Sequence, residues 1–180
     1  KSDLQKDHGM IIVANHPTYI DYVLLASFLP EVNCLVKEKI LHKPTLSGIV
    51  KNARYLVNTD GSSLLEECAE ILKRGENILI FPEGTRTPHD GTIKLKKGFA
   101  SLSAHLLCPL HVVTITCSEH FLDKSMKWYE VPPRIPKFKV TVDKILDPSD
   151  YGARENPQKA ALEMRQEVSA IFKKALIPKE

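Results

Sequence analysis

His16 and Asp21 raise the first chemical question of this sequence; they lie in the stretch VANHPTYIDY, residues 13–22. A histidine with a carboxylate in reach is the arrangement of a general base. The carboxylate accepts from one ring nitrogen and fixes tautomer and orientation, leaving the other nitrogen to take a proton from a hydroxyl. A spacing of five is awkward inside a regular helix, where five steps of about 100° leave two side chains roughly 140° apart. Pro17 removes the difficulty. The residue before a proline is pushed away from helical angles, and proline itself suits the first helical position. His16 is therefore expected on the turn at a strand's end, with Asp21 one turn into the following helix and able to reach back. Alone, H-x-x-x-x-D is common by chance and equally fits a helix-capping histidine beside a solvated aspartate.

A second stretch has the same design. ILIFPEGTR, residues 78–86, is an apolar run that ends abruptly in Pro82-Glu83-Gly84-Thr85-Arg86. Gly84 allows a tight backbone, Thr85 offers a hydroxyl, and Arg86 offers a planar fork suited to phosphate. Taken singly, this is also what a turn with a surface Glu–Arg pair looks like. In open α/β sheets, substrate sites gather beyond the carboxyl ends of the strands, where both stretches would stand.

The elements that must position these residues are legible as alternating runs. MIIVA (10–14), NCLVK (33–37), NILIF (77–81) and LHVVTIT (110–116) are short, apolar and rich in β-branched residues, as strands buried on both faces are. KFKVTVDKI (137–145) alternates charged and apolar residues, as an edge strand does. Helical patterns cover 18–29 and 62–74, the latter with a capping-box spacing from Ser63 to Glu66 and a stop at Gly75. The 18–29 segment is apolar nearly all round, which predicts burial. A last helix starts at Asn156-Pro157 and carries an apolar stripe of Ala161, Met164, Val168, Ile171, Phe172 and Ala175. The predicted fold is α/β: a single layered domain over residues 1–180, with a mixed, largely parallel sheet flanked by helices. Residues 119–136, with prolines 132, 133 and 136, read as an irregular connection.

Composition narrows the function classes. With 43% hydrophobic and 26% charged residues the chain is an ordinary globular one, and a net charge of +3 falls short of the basic stripe of a nucleic-acid binder. No G-x-G-x-x-G or P-loop pattern occurs. Cys34, Cys68, Cys108 and Cys117 form no C-x-x-C pair, which reads as reduced, mostly buried thiols of a cytosolic compartment. His8, His42, His89, His105, His111 and His120 form no metal-ligand spacing. Residues 99–118 lack charge, but Pro109, two histidines and several hydroxyls favour a buried helix leading into a buried strand over a membrane span. The chain opens on Lys1 rather than methionine, which suggests a trimmed chain with room for an anchoring segment upstream.

Together the two stretches resemble the glycerolipid acyltransferase family, best known from bacterial 1-acylglycerol-3-phosphate acyltransferases. Asn15, His16 and Asp21 match its N-H-x-x-x-x-D motif, and residues 81–86 match F-P-E-G-T-R in full. KLKKGFASLS (94–103) and CLVKEKIL (34–41) resemble two further family segments, so the likeness runs from roughly residue 9 to 118. Two positions depart from the pattern. NARYLVNTD (52–60) has Asn58 or Thr59 near the arginine of the second motif, and CPLHVV (108–113) keeps one proline, Pro109, of the fourth.

The resemblance implies transfer of a fatty acyl group from a thioester, acyl-CoA or acyl carrier protein, to a hydroxyl of a lysophospholipid-like acceptor. It makes His16 the general base and Asp21 its orienter, without a covalent nucleophile. Glu83, Gly84, Thr85 and Arg86 would hold the acceptor's polar head, with Asn15, Lys37 and Lys97 as further substrate contacts. Backbone N–H groups near the start of the 18–29 helix would meet the oxyanion. No cofactor or metal is implied beyond the donor, since a thioester is already activated. Expected partners are a lipid acceptor, a membrane surface met peripherally on its cytoplasmic face, and an acyl carrier protein; nucleic acid is not expected. A non-catalytic lipid-binding module and a thioester or lipid hydrolase are the rival readings.

Overall fold

The computed structural model describes residues 8–37, 56–58, 63–88, 92–127 and 129–176. The apolar runs become strands: β1 Ile11–Ala14, β2 Val32–Lys37, β3 Leu56–Asn58, β4 Asn77–Ile80, β5 Leu110–Cys117 and β6 Phe138–Leu146. Between and after them stand helices α1 Asp21–Ala26, α2 Ser63–Lys73, α3 Gly98–Leu106 and α4 Pro157–Leu176. The strands form one sheet in the order β3-β2-β4-β1-β5-β6. Every pair is parallel except β5–β6, so the charge-alternating strand is at the edge, as its sequence predicts, and the structure adds that it is antiparallel. The layered α/β architecture is the expected one.

Side-chain alternation splits the core across the sheet. Ile11 and Val13 of β1 face one side with Ile78, Ile80, Leu110 and Val112, beneath α2, α3 and α4. Ile12 and Ala14 face the other with Leu79, Val113 and Ile115, beneath Leu25 and Leu29. The stripe on α4 is buried at Ala161, Met164, Val168 and Phe172, and Asn156 caps the helix by accepting from the Lys159 N–H at 3.0 Å. Gly75, at φ +81°, stops α2 as predicted.

Four expectations need adjustment. The predicted 18–29 helix is shorter, because Thr18–Ile20 form a turn whose donors are used to hold Asp21. That segment is also less buried than its composition predicts. Val23 is 65% exposed and Tyr19 and Phe28 are exposed too, since only one side of so short a helix can meet the sheet. Strand β3 has no counterpart in the sequence reading; three residues give no periodicity to read. Ser63 is the first residue of α2 rather than the cap before it. Most of the second-motif stretch, including Thr59, and residues 38–41 of CLVKEKIL lie outside the described residues.

No helix among the described residues is long and apolar enough to cross a membrane. Removing the fully buried Phe172 side chain by Phe172→Ala should cost about 3–5 kcal/mol in urea unfolding. The change Leu162→Ala, at an exposed position of the same helix, should stay within about 0.5 kcal/mol.

Candidate active site

Parallel pairing of β1 with β4 brings the two sequence stretches together. Val13 lies opposite Ile80, so the same register carried three residues on sets His16 level with Glu83. β5 lies on the other side of β1, with Ala14 opposite Val113.

His16 Nδ1 and Asp21 Oδ2 are 2.9 Å apart, as the Pro17 turn allows. Asp21 is fully buried, and its other bonds come from the turn between them. The Thr18 N–H donates to Oδ2 at 2.7 Å and the Thr18 hydroxyl to Oδ1 at 2.6 Å. A carboxylate this deep must be surrounded by donors, and Thr18 and His16 supply them. The imidazole lies stacked on Phe81, the last residue of the β4 run, with ring centroids 4.4 Å apart. Its side chain is 22% exposed, and Nε2 lies on the side of the ring away from Asp21.

The His16 backbone is clasped from β4. Its N–H is shared between Glu83 Oε1 at 3.3 Å and Thr87 Oγ1 at 3.1 Å, while its carbonyl accepts from the Thr87 N–H at 2.7 Å. The Thr87 hydroxyl also donates to Glu83 Oε1 at 2.7 Å. Glu83 is only 7% exposed, and its Oε2 has no hydrogen-bond partner among the described residues. Burial pushes the Glu83 carboxyl above its ordinary range, against the opposing pull of the Thr87 and His16 donors.

The remaining expected site residues fall into distinct places. Asn15 is buried and turned toward β5: its Nδ2 donates to the Ile115 carbonyl at 2.9 Å and its Oδ1 accepts from the Ile115 N–H at 2.6 Å. The amide thus extends the β1–β5 ladder rather than facing the cleft. Gly84 takes φ +64° in the turn after β4, a conformation that suits glycine, and Thr85 is exposed beside it. Arg86 Nη1 donates to the Leu122 and Asp123 carbonyls at 3.0 and 2.5 Å, and the guanidinium lies over the Tyr19 ring at 5.1 Å. Lys97 is exposed at the start of α3, and the adjoining Lys96 N–H donates to the Pro82 carbonyl at 2.9 Å. Lys37 closes β2 opposite Asn58, and its side chain lies outside the described part.

The expected oxyanion donors need correction. The N–H groups of Thr18 and Tyr19 are already bonded, to Asp21 and to the Leu122 carbonyl, so neither is available. Thr18, Phe81 and Thr87 enter the site without having been singled out. Thr18 carried one signal, since a threonine three residues before an acid is the capping-box spacing. Among the cysteines, burial pushes the Cys34 thiol up to about 12 and Cys68 up to about 11, so both remain protonated thiols near neutrality.

The Glu83 environment gives a signed pH dependence. A carboxyl whose folded value is raised adds stability below its unfolded value and loses that contribution as pH rises through the folded value. Glu83→Gln should therefore gain on the parent protein as pH rises above the ordinary glutamate value of about 4.3, measured by urea unfolding from acid to neutral pH.

Comparison with known proteins agrees with this geometry. The family pattern described as Acyltransferase matches residues 1–118. The 1-acyl-sn-glycerol-3-phosphate acyltransferase of Bacillus subtilis is 28% identical over 115 residues, covering 61% of this chain and 57% of that protein. The lyso-ornithine lipid O-acyltransferase of Pseudomonas aeruginosa is 37% identical over 82 residues, covering 43% of this chain and 31% of that protein. The chain thus spans little more than half the length of the first of these relatives, and less of the second. In fold it is similar to the crystal structure of the 1-acyl-sn-glycerophosphate acyltransferase PlsC from Thermotoga maritima, with a TM-score of 0.69 and 23% identity over 99% of this chain and 70% of that one. With both motifs joined at the ends of β1 and β4, and a family match over residues 1–118, the chain belongs to the acyltransferase family of glycerolipid acyltransferases.

Proposed function

We propose that this chain is an O-acyltransferase that moves a fatty acyl group from a thioester, acyl-CoA or acyl carrier protein, to a hydroxyl of a lysophospholipid-like acceptor. The observation that carries the reading is the His16–Asp21 pair, 2.9 Å apart on a fully buried carboxylate. Asp21 holds Nδ1, and Nε2 takes the acceptor's hydroxyl proton as that oxygen attacks the thioester carbonyl. The C–O bond forms, the tetrahedral intermediate collapses, the C–S bond breaks, and the leaving thiolate recovers the proton from His16. The products are an ester and a free thiol.

In this reading Gly84, Thr85 and Arg86 form the rim that meets the acceptor's polar head, with Lys37 and Lys97 as further contacts, while buried Glu83 serves by holding the His16 main chain rather than by touching the acceptor. Asn15 serves the site through the β1–β5 junction. The relatives differ in acceptor by their names, a glycerol phosphate lipid in one and an ornithine lipid in another, so the acceptor class proposed is the lysolipid. The enzyme works at the cytoplasmic face of a membrane.

Single-turnover transfer from labelled acyl-CoA and acyl carrier protein to a panel of lysolipids tests the reading. His16→Ala should lose about 10²–10⁴-fold in the chemical step while its circular dichroism is unchanged. Equal transfer by the parent and His16→Ala would sink the mechanism. Release of free fatty acid without ester would assign the hydrolase instead.

A further inference from the structure

The connection from β5 to β6, residues 118–137, is longer than the ~12–15 residues beyond which an irregular loop is usually functional. It is not slack. Its neck is tied where the Ser118 N–H donates to the Lys137 carbonyl and the Lys137 N–H to the Ser118 hydroxyl, both at 3.0 Å. Further in, Asp123 Oδ1 accepts from the Ser125 N–H and hydroxyl at 2.8 and 2.6 Å and from the Met126 N–H at 3.2 Å. Its base is anchored to the candidate site: Arg86 Nη1 and the Tyr19 N–H both donate to the Leu122 carbonyl.

What this braced loop shows to solvent is unusual. Val131 and Ile135 are each 86% exposed, and Tyr129, two positions before Val131, is exposed too, with the Lys127 ammonium over its ring. A water-facing loop has no physical reason to hold β-branched side chains out so fully, and exposed apolar clusters rimmed by polar residues mark interaction sites. The same loop carries Lys124, Lys127, Arg134 and Lys137, all exposed, against three acids, Glu119, Asp123 and Glu130, of which Glu130 alone is exposed. Among the described residues no carboxylate forms an ion pair with Lys124, Arg134 or Lys137. Apolar tips inside a basic rim fit a bilayer with anionic headgroups, where binding grows with inserted apolar area and with each cation near the surface. An acidic protein partner would satisfy the cations but leave Val131 and Ile135 without a counterpart.

We propose that the 118–137 loop is a membrane-docking element: Val131 and Ile135 insert among the acyl chains of an anionic bilayer, and Lys124, Lys127, Arg134 and Lys137 sit at its headgroups. This deepens the acyltransferase reading, because the loop is anchored through Leu122 to Tyr19 and Arg86. Docking there would bring the β1 and β4 ends to the surface where a lysolipid resides. Exposed Tyr19, Val23 and Phe28 lie in the segment just after His16, which extends the apolar character toward the site.

The test is co-sedimentation with phosphatidylcholine vesicles with and without phosphatidylglycerol, using the full chain. Partition is read without turnover, so it stands or falls separately from the chemistry. The parent should favour the anionic vesicles. Val131→Glu with Ile135→Glu should lower that partition at least about tenfold. Replacing Lys127, Arg134 and Lys137 by glutamine should remove most of its salt dependence. A control change at an exposed apolar site elsewhere, Leu162→Glu on α4, should leave partition unchanged. Partition of the Val131/Ile135 variant equal to the parent, or an equal loss in the Leu162 control, would overturn the proposal. So would a parent that binds neither vesicle, or a variant that loses acyl carrier protein binding while keeping vesicle binding.

Discussion

Everything at the candidate site depends on β1 being hydrogen-bonded in parallel to β4 on one side and to β5 on the other. β1 is short and fully buried, so its ladder and the core on both faces are formed together. Because parallel neighbours run in the same sense, the ends of β1 and β4 emerge side by side. Residues nearly seventy positions apart in sequence become backbone neighbours, and the His16 N–H meets Glu83. Asn15 secures the other flank, its amide standing in for a peptide group against Ile115. The sheet order places this junction at its centre, with β2 and β3 beyond β4 and the antiparallel β6 beyond β5.

Two buried carboxylates then divide the task of holding one histidine. Asp21 acts on the ring, and Glu83 acts on the backbone with Thr87 as intermediary. Their environments differ. Asp21 receives both Thr18 donors besides the imidazole, whereas Glu83 uses one oxygen for two donors and finds no partner for the other among the described residues. Burial prevails over the two donors at Glu83 and pushes its carboxyl upward. Phe81 completes the setting by lying against the imidazole face. A ring fixed at Nδ1, at its face and through its main chain has little freedom left, which is the preorganisation that positioned proton transfer requires.

Arg86 illustrates how a motif residue can be engaged by the fold itself. Its guanidinium ties the loop after β5 to the turn after β1 through two carbonyls and the Tyr19 ring. The fork suited to phosphate is equally suited to paired carbonyl oxygens, because both present acceptors to coplanar N–H groups. Residue type alone does not choose between them.

The sequence by itself determined the alternation of buried strands and helices, the edge character of β6, the capped final helix, and the pairing of His16 with Asp21. These rest on local physics: side-chain period, proline's fixed φ, and a reach of five residues across one turn. Tertiary structure alone decided the partners of Asn15, Arg86 and His16's main chain, the roles of Thr18 and Thr87, and the exposed face of α1. It also decided that β3 forms at all. Those outcomes depend on which strand lies beside which and on what remains to cover each surface. Strand neighbours in a parallel sheet are joined by crossovers through distant sequence, so no local pattern of residues records them.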